Sequence, residues 1–168
     1  MGVPSVPPVG QVLVHPSHGT ATVTGHEDRD VAGESRRYVV LQLSVGDLTL
    51  KVPEENLPKV GVREPMTKKQ AAEVLKMLGE EPTESGGNAN GGWARRFKAN
   101  TELARTGNPE DLATVVRNIH ARPEPSTAEK RLLDKSRALL VAELAAALKC
   151  DQDAALGKLE TALGSVDA

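Results

Sequence analysis

Trp93, Arg95, Arg96, Phe97 and Lys98 are packed into six positions, and they include the only Trp and the only Phe of the chain. Guanidinium and ammonium groups can meet phosphates, while a ring beside them can meet a base or a base step. That chemistry is nucleic-acid contact. The competing reading is structural: Trp93 and Phe97, four residues apart, would form a core pair beneath a solvated basic face. The stretch follows a run rich in Gly and Asn, Gly86 to Gly92, and reads as the opening of a helix. Cations in a first helical turn oppose the helix macrodipole. A sequence selected only for helix stability would place acidic residues there.

Other chemistries lack a constellation. His15 and His18 flank Pro16-Ser17 without Cys or carboxylate partners at ligand spacing, so no metal is expected and the two histidines read as turn residues. Cys150, the single cysteine, has no nearby His and sits late in a leucine-rich helix, so a buried structural thiol is expected. The Gly86 to Gly92 run has no Gly-Lys-Ser/Thr and no preceding strand; it reads as a connector, not a phosphate cradle. Glu80, Glu81 and Glu84 read as a solvated acidic linker. No catalytic residue and no cofactor is expected.

The net charge of −2 conceals a segregation. Residues 93–137 hold ten Lys/Arg against six Asp/Glu, while the rest holds eleven against seventeen. A local basic excess matters for polyanion binding more than the global charge does. Hydrophobic residues make up 39% of the chain but aromatic ones only 2%, so cores must be built from Val, Leu, Ile and Ala. No apolar run reaches the eighteen or so residues a membrane helix needs. Residues 1–8 read as a disordered leader without a signal peptide's features. One cysteine fits a reducing, cytoplasmic setting.

Two kinds of periodicity must position the basic stretch. Across residues 9–62, Val12, Val14, Ala21 and Val23, then Val39, Leu41 and Leu43, then Leu48, Leu50 and Val52 alternate with polar neighbours, the pattern of short strands in a small bent sheet or barrel. Breaks are expected at Pro16 to Gly19, at Asp28 to Gly33, at Gly46-Asp47 and at Pro53. A hinge is expected over 63–66. From Thr67 the period becomes helical. Thr67 with Gln70, and Ser126 with Glu129, spell capping boxes. Gly79 and Gly107 stop helices, and Asn108-Pro109 starts one. Leu112, Val115, Val116 and Ile119 form a helical stripe, and Asp151 caps a last helix. The layout is α+β: a small β module over 9–62 and a four- or five-helix module over 67–164, each with its own core.

At this point several segments together resemble the CarD/CdnL family of bacterial RNA polymerase-binding transcription factors, of the actinobacterial type. They are Val9 to Gly19 (VGQVLVHPSHG), Gly46 to Asn56 (GDLTLKVPEEN), Val60 to Arg63, Trp93 to Asn100 (WARRFKAN) and Ser126 to Leu133 (STAEKRLL), in family order. The resemblance implies a Tudor-like β domain that docks on the protrusion of the polymerase β subunit by strand pairing helped by basic side chains. Arg29 and Lys51 fall at those contact positions, Lys51 standing where the family has arginine. It further implies a helical domain that contacts promoter DNA at the upstream edge of the bubble. Trp93 would be the wedge, with Arg95, Arg96, Lys98, Lys130 and Arg131 near the DNA backbone. The core-pair reading then survives in part, with Phe97 as the core member.

The resemblance also implies a monomer that acts in the cytoplasm with no membrane association. This chain departs from the family at Gln11, in the longer loop before Trp93, and at Pro123 and Pro125. The rival reading is a protein-binding adaptor on polymerase that makes no DNA contact.

Overall fold

The alternating segments form an antiparallel sheet of four strands in the order β1-β2-β3-β4: β1 Val12–His15, β2 Gly19–Val31, β3 Glu34–Leu43 and β4 Thr49–Pro53. This is a computed structural model, and it describes residues 6–82 and 92–164. Because side chains alternate across a strand, Val39, Leu41 and Leu43 all point to one face. There they pack with Leu13, Ala21, Val23, Leu57 and Val62 in a small aliphatic core. A register shift between Val23 and Gly25 bends β2, as an extra residue in one strand does. The result is the curled sheet expected of a Tudor-like module.

Two segments differ from the sequence expectation. The break expected over Asp28 to Gly33 is only two residues long. Val31 pairs with Glu34, and Ala32 and Gly33 both take positive φ, at 55° and 83°. That is the type I′ geometry whose twist matches a tight hairpin. Arg29 therefore lies within β2, directly across from Arg36, and not in a loop. Residues 54–60, expected to be β, instead form a 3₁₀ turn, Glu54–Asn56, and a short helix α1, Leu57–Val60, which drops Leu57 into the sheet core. Gly61 follows with φ of 84°.

The ends of this module are tied down. Val14 and Arg63 exchange both main-chain hydrogen bonds, at 2.7 and 3.0 Å. Of the expected leader, residues 1–5 lie outside the described residues, whereas Pro7 is buried and its carbonyl accepts from His26 Nε2 at 2.7 Å. The chain divides into two units between Pro65 and Met66. Of the expected hinge, Arg63 is bonded into the first unit, and Met66 belongs to the core of the second.

The second unit is all-helical: α2 Lys68–Leu78, α3 Gly92–Thr106, α4 Pro109–His120, α5 Thr127–Leu148 and α6 Gln152–Gly164. Both capping boxes form, with Thr67 and Ser126 as the N-caps of α2 and α5. Asp151 accepts from the Ala154 N–H at 2.7 Å at the start of α6. Leu112, Val116, Leu140, Leu144, Leu159 and Leu163 from α4, α5 and α6 meet Ala71, Val74 and Leu78 of α2. Two buried ionic groups fix chain ends within this core. Glu143, 1% exposed, accepts the Met66 N–H at 2.8 Å. Arg117 donates to the Met77 carbonyl at 3.0 Å and lies 3.8 Å from Glu80. Glu80 keeps 55% of its side chain exposed, in the loop after α2 with exposed Glu81, despite this pairing. Glu84 lies outside the described residues, as does all of the Gly-rich run up to Gly91.

Each core is confined to its own unit. Leu41→Ala should therefore destabilise the β unit by about 2–5 kcal/mol, the usual cost of such a truncation in a core. Amide exchange in α4 and α5 should stay as slow as in the parent chain, which hydrogen-exchange mass spectrometry can read for both units at once.

Candidate functional site

Trp93 sits in the first turn of α3 with 44% of its surface exposed. Its ring lies flat against Phe97, with centroids 5.1 Å apart and planes inclined by 6°. Its indole N–H donates to Ser126 Oγ at 3.0 Å. Ser126 is the N-cap of α5, so the ring bridges the starts of two helices. The same Oγ accepts from the Glu129 N–H at 3.1 Å, and Glu129 Oε1 accepts from the Ser126 N–H at 3.2 Å. Glu129 is 1% exposed, and its Oε2 lies 3.3 Å from Arg122 Nε, an ion pair at an angle outside hydrogen bonding.

Phe97 is half-buried and does not join the apolar core, contrary to expectation. Its partner is the indole. The reason lies in α3, whose one buried residue is Asn100, a polar side chain. The apolar contact of α3 with the core is made by Ala104, two turns on, and Phe97 is left outside.

The cations divide by exposure. Arg95 and Lys98 on α3, and Lys130 and Arg131 in the first turns of α5, are all exposed. Arg96 is half-buried, and its Nε has no hydrogen-bond partner among the described residues. Trp93 is joined to the start of the helix that carries Lys130 and Arg131 by the Ser126 bond. This surface can present a fixed aromatic face flanked by positive charge.

In the β unit, one residue that sequence reasoning missed draws the two expected basic residues together. Glu27 lies between them, its Oε2 3.1 Å from Lys51 Nζ and 3.5 Å from an Arg29 terminal nitrogen. Arg29 also lies over the Tyr38 ring, 5.9 Å from its centroid. Alternation alone puts Glu27 and Arg29 on one face of β2. The register that brings Lys51 of β4 into reach across β3 is a tertiary fact. The hydrogen bond from Lys51, reinforced by the charges of Lys51 and Arg29, holds the Glu27 carboxyl below its ordinary pKa.

The histidines do turn chemistry. His15 Nδ1 accepts from the Ser17 and His18 N–H groups at 3.1 and 3.3 Å, which requires the neutral ring. Partial burial, then the neighbouring His18, lowers the His15 pKa. Among the described residues no three His, Cys, Asp or Glu side chains gather as metal ligands, and no helix is long and apolar enough to cross a membrane. Cys150 lies just past α5, which ends at Leu148 with Lys149 as its C-cap, and not within the helix as expected; it is a free thiol, half-buried and not fully buried, against the helical core.

The geometry gives a curled β module followed by an all-α module that bears an exposed Trp among cations. Comparison with known families specifies it further: residues 8–65 match the CarD-like/TRCF RID domain, and residues 73–160 match the CarD C-terminal domain. The chain belongs to the CarD/CdnL family, and it is an RNA polymerase-binding transcription factor of that non-catalytic kind. It is similar to a Bacillus subtilis (strain 168) protein named "Putative transcription factor YdeB", with 26% identity over 141 residues, covering 81% of this chain and 88% of that one.

The Glu27 pairing has a checkable pH signature. Its folded-state pKa lies below the unfolded value, so its contribution is present above the unfolded pKa and is lost as pH falls through the folded one. In a carboxyl NMR titration the Glu27 midpoint should lie below that of an unpaired Glu. Lys51→Met should move it upward, because the largest cause of the shift is then removed.

Proposed function

We propose that this chain docks on the β subunit of RNA polymerase, at its protrusion, through the β module over 9–62. In this reading the helical module over 67–164 stabilises the promoter open complex by inserting Trp93 at the upstream edge of the bubble. The observation that carries it is the half-exposed indole fixed between Phe97 and Ser126. A large aromatic left at the surface beside exposed Arg95, Lys98, Lys130 and Arg131 has the composition of a wedge with adjacent phosphate contacts. Arg96 is the least accessible of the proposed contacts and acts from the edge of the site.

The docking half rests on Arg29 and Lys51. Arg29 stands directly opposite Arg36 in the β2–β3 ladder. Each is paired within the unit, Arg29 with Glu27 at 3.5 Å and Arg36 with Glu55 at 3.4 Å, and both stay exposed. Such surface pairs are weak, so a negatively charged partner surface can exchange for them. Main-chain pairing along a sheet edge would supply the remaining affinity.

The energetics are modest and sufficient. Unstacking a base step costs a few kcal/mol, which an inserted apolar ring offsets. A factor already held on polymerase presents that ring at high effective concentration, so weak DNA contacts are enough. If the ring fits the opened fork and not the closed duplex, about 1.4 kcal/mol of differential binding shifts the equilibrium roughly tenfold toward the open complex. The promoter is chosen by polymerase and its sigma factor. This factor is monomeric, acts in the cytoplasm, and needs neither cofactor nor base-specific readout.

Trp93→Ala should shorten the open-complex lifetime on forked promoter DNA by about tenfold, the shift estimated above, while leaving co-purification with polymerase intact. An unchanged lifetime would favour an adaptor without DNA contact. Arg29→Glu should do the reverse, reducing co-purification with the β subunit. It gains an opposite charge across from Arg36 but loses the surface pair with Glu27, so the thermal stability of the β unit should change little, which separates lost docking from lost folding.

A further inference from the structure

The aromatic site contains a residue given no role so far beyond capping a helix. Ser126 is explained as a helix cap by its bond from the Glu129 N–H, and α5 requires nothing more of its hydroxyl. Yet the same oxygen also accepts from the Trp93 indole at 3.0 Å. A hydroxyl oxygen has two lone pairs, so its acceptor capacity is fully used. The indole N–H has this one partner among the described residues.

Geometry shows what the second bond does. Parallel stacking on Phe97 fixes the plane of the indole. It does not fix rotation within that plane, because a flat apolar contact is nearly indifferent to it. A hydrogen bond at the Nε1 edge removes that remaining freedom. Ser126 is itself held, since its own N–H donates to the carboxylate of buried Glu129, against which Arg122 lies. Plane and edge of the ring are thus both set by groups outside the Gly-rich connector that precedes it in sequence.

We propose that Ser126 is a positioning residue for Trp93, fixing the in-plane orientation with which the indole meets DNA. The proposal rests on the wedge reading above. It assigns a side chain that touches no DNA a share of the open-complex effect, delivered by pre-organising the ring so that less freedom is lost on insertion.

The test uses the fact that Trp93 is the sole Trp, so intrinsic fluorescence of the full chain reports on it alone. Gly and Thr are about equal as N-caps, so Ser126→Gly and Ser126→Thr preserve the start of α5 to the same degree and differ in the hydroxyl. In Ser126→Gly, time-resolved anisotropy should show a larger fast depolarising component. The open-complex lifetime should fall about three- to tenfold, the usual worth of one net hydrogen bond. Ser126→Thr should restore both readouts. An unchanged anisotropy decay in Ser126→Gly overturns the proposal. So does a loosened ring whose open complex lives as long as that of Ser126→Thr while Trp93→Ala still shortens it; the wedge reading then stands and the positioning role falls. If Trp93→Ala leaves the lifetime unchanged, the wedge reading falls and takes this inference with it.

Discussion

Glu129 is a carboxylate almost wholly withdrawn from water at the start of α5, and much of the helical unit's functional geometry hangs on it. Its position favours a negative charge, since the amino end of a helix carries the positive end of the macrodipole. One oxygen takes the Ser126 N–H, and the other lies against Arg122, which closes the α4–α5 connection. Ser126, held in this way, caps the helix and receives the indole. The pattern recurs at Glu143, another buried carboxylate, which holds the Met66 N–H where the helical unit begins. Apolar burial supplies cohesion without direction. In a core of Leu, Val and Ala, direction comes from these few polar anchors.

The two proposed contact surfaces share a physical trait: each violates a local rule of stability. Arg95 and Arg96 load the positive end of α3 with more positive charge. The only buried residue of that helix is Asn100, whose Oδ1 finds no hydrogen-bond partner among the described residues. In the sheet, Arg29 and Arg36 stand abreast, a like-charge pair tempered but not removed by Glu27 and Glu55. Elsewhere the chain obeys such rules closely, in its two capping boxes, its hairpin turn and its alternating strands. Local inconsistency in an otherwise consistent sequence marks places where something other than folding sets the residue.

What could be read from the sequence divides along the same line. Caps were legible because they are short-range: Thr67 with Gln70 and Ser126 with Glu129 act within one helical turn. The aliphatic stripe of α4 was legible through its period. Arg29 was misplaced because charge and a glycine suggested a loop, whereas Ala32 and Gly33 alone make the turn. Phe97 was misassigned because an aromatic four residues from another suggests a core pair. Whether such a pair is buried depends on the rest of the helix face, and α3 meets the core through Ala104, two turns beyond Phe97. Glu27 was missed because its role exists only once β2, β3 and β4 are in register, and the Ser126–Trp93 bond spans 33 residues that no local pattern connects.

One small feature of the sheet bears on how many partners it can take. The outward main-chain groups of Val14, in the middle of β1, are both occupied by Arg63. The strand at the other end of the ladder is β4, which carries Lys51. A sheet with two bare margins can propagate, each copy templating the next, whereas one with a plugged margin terminates after a single addition. The main-chain bonds of Arg63 thus act as a stop on growth. They blunt one margin of the sheet and so guard the fold against head-to-tail polymerisation.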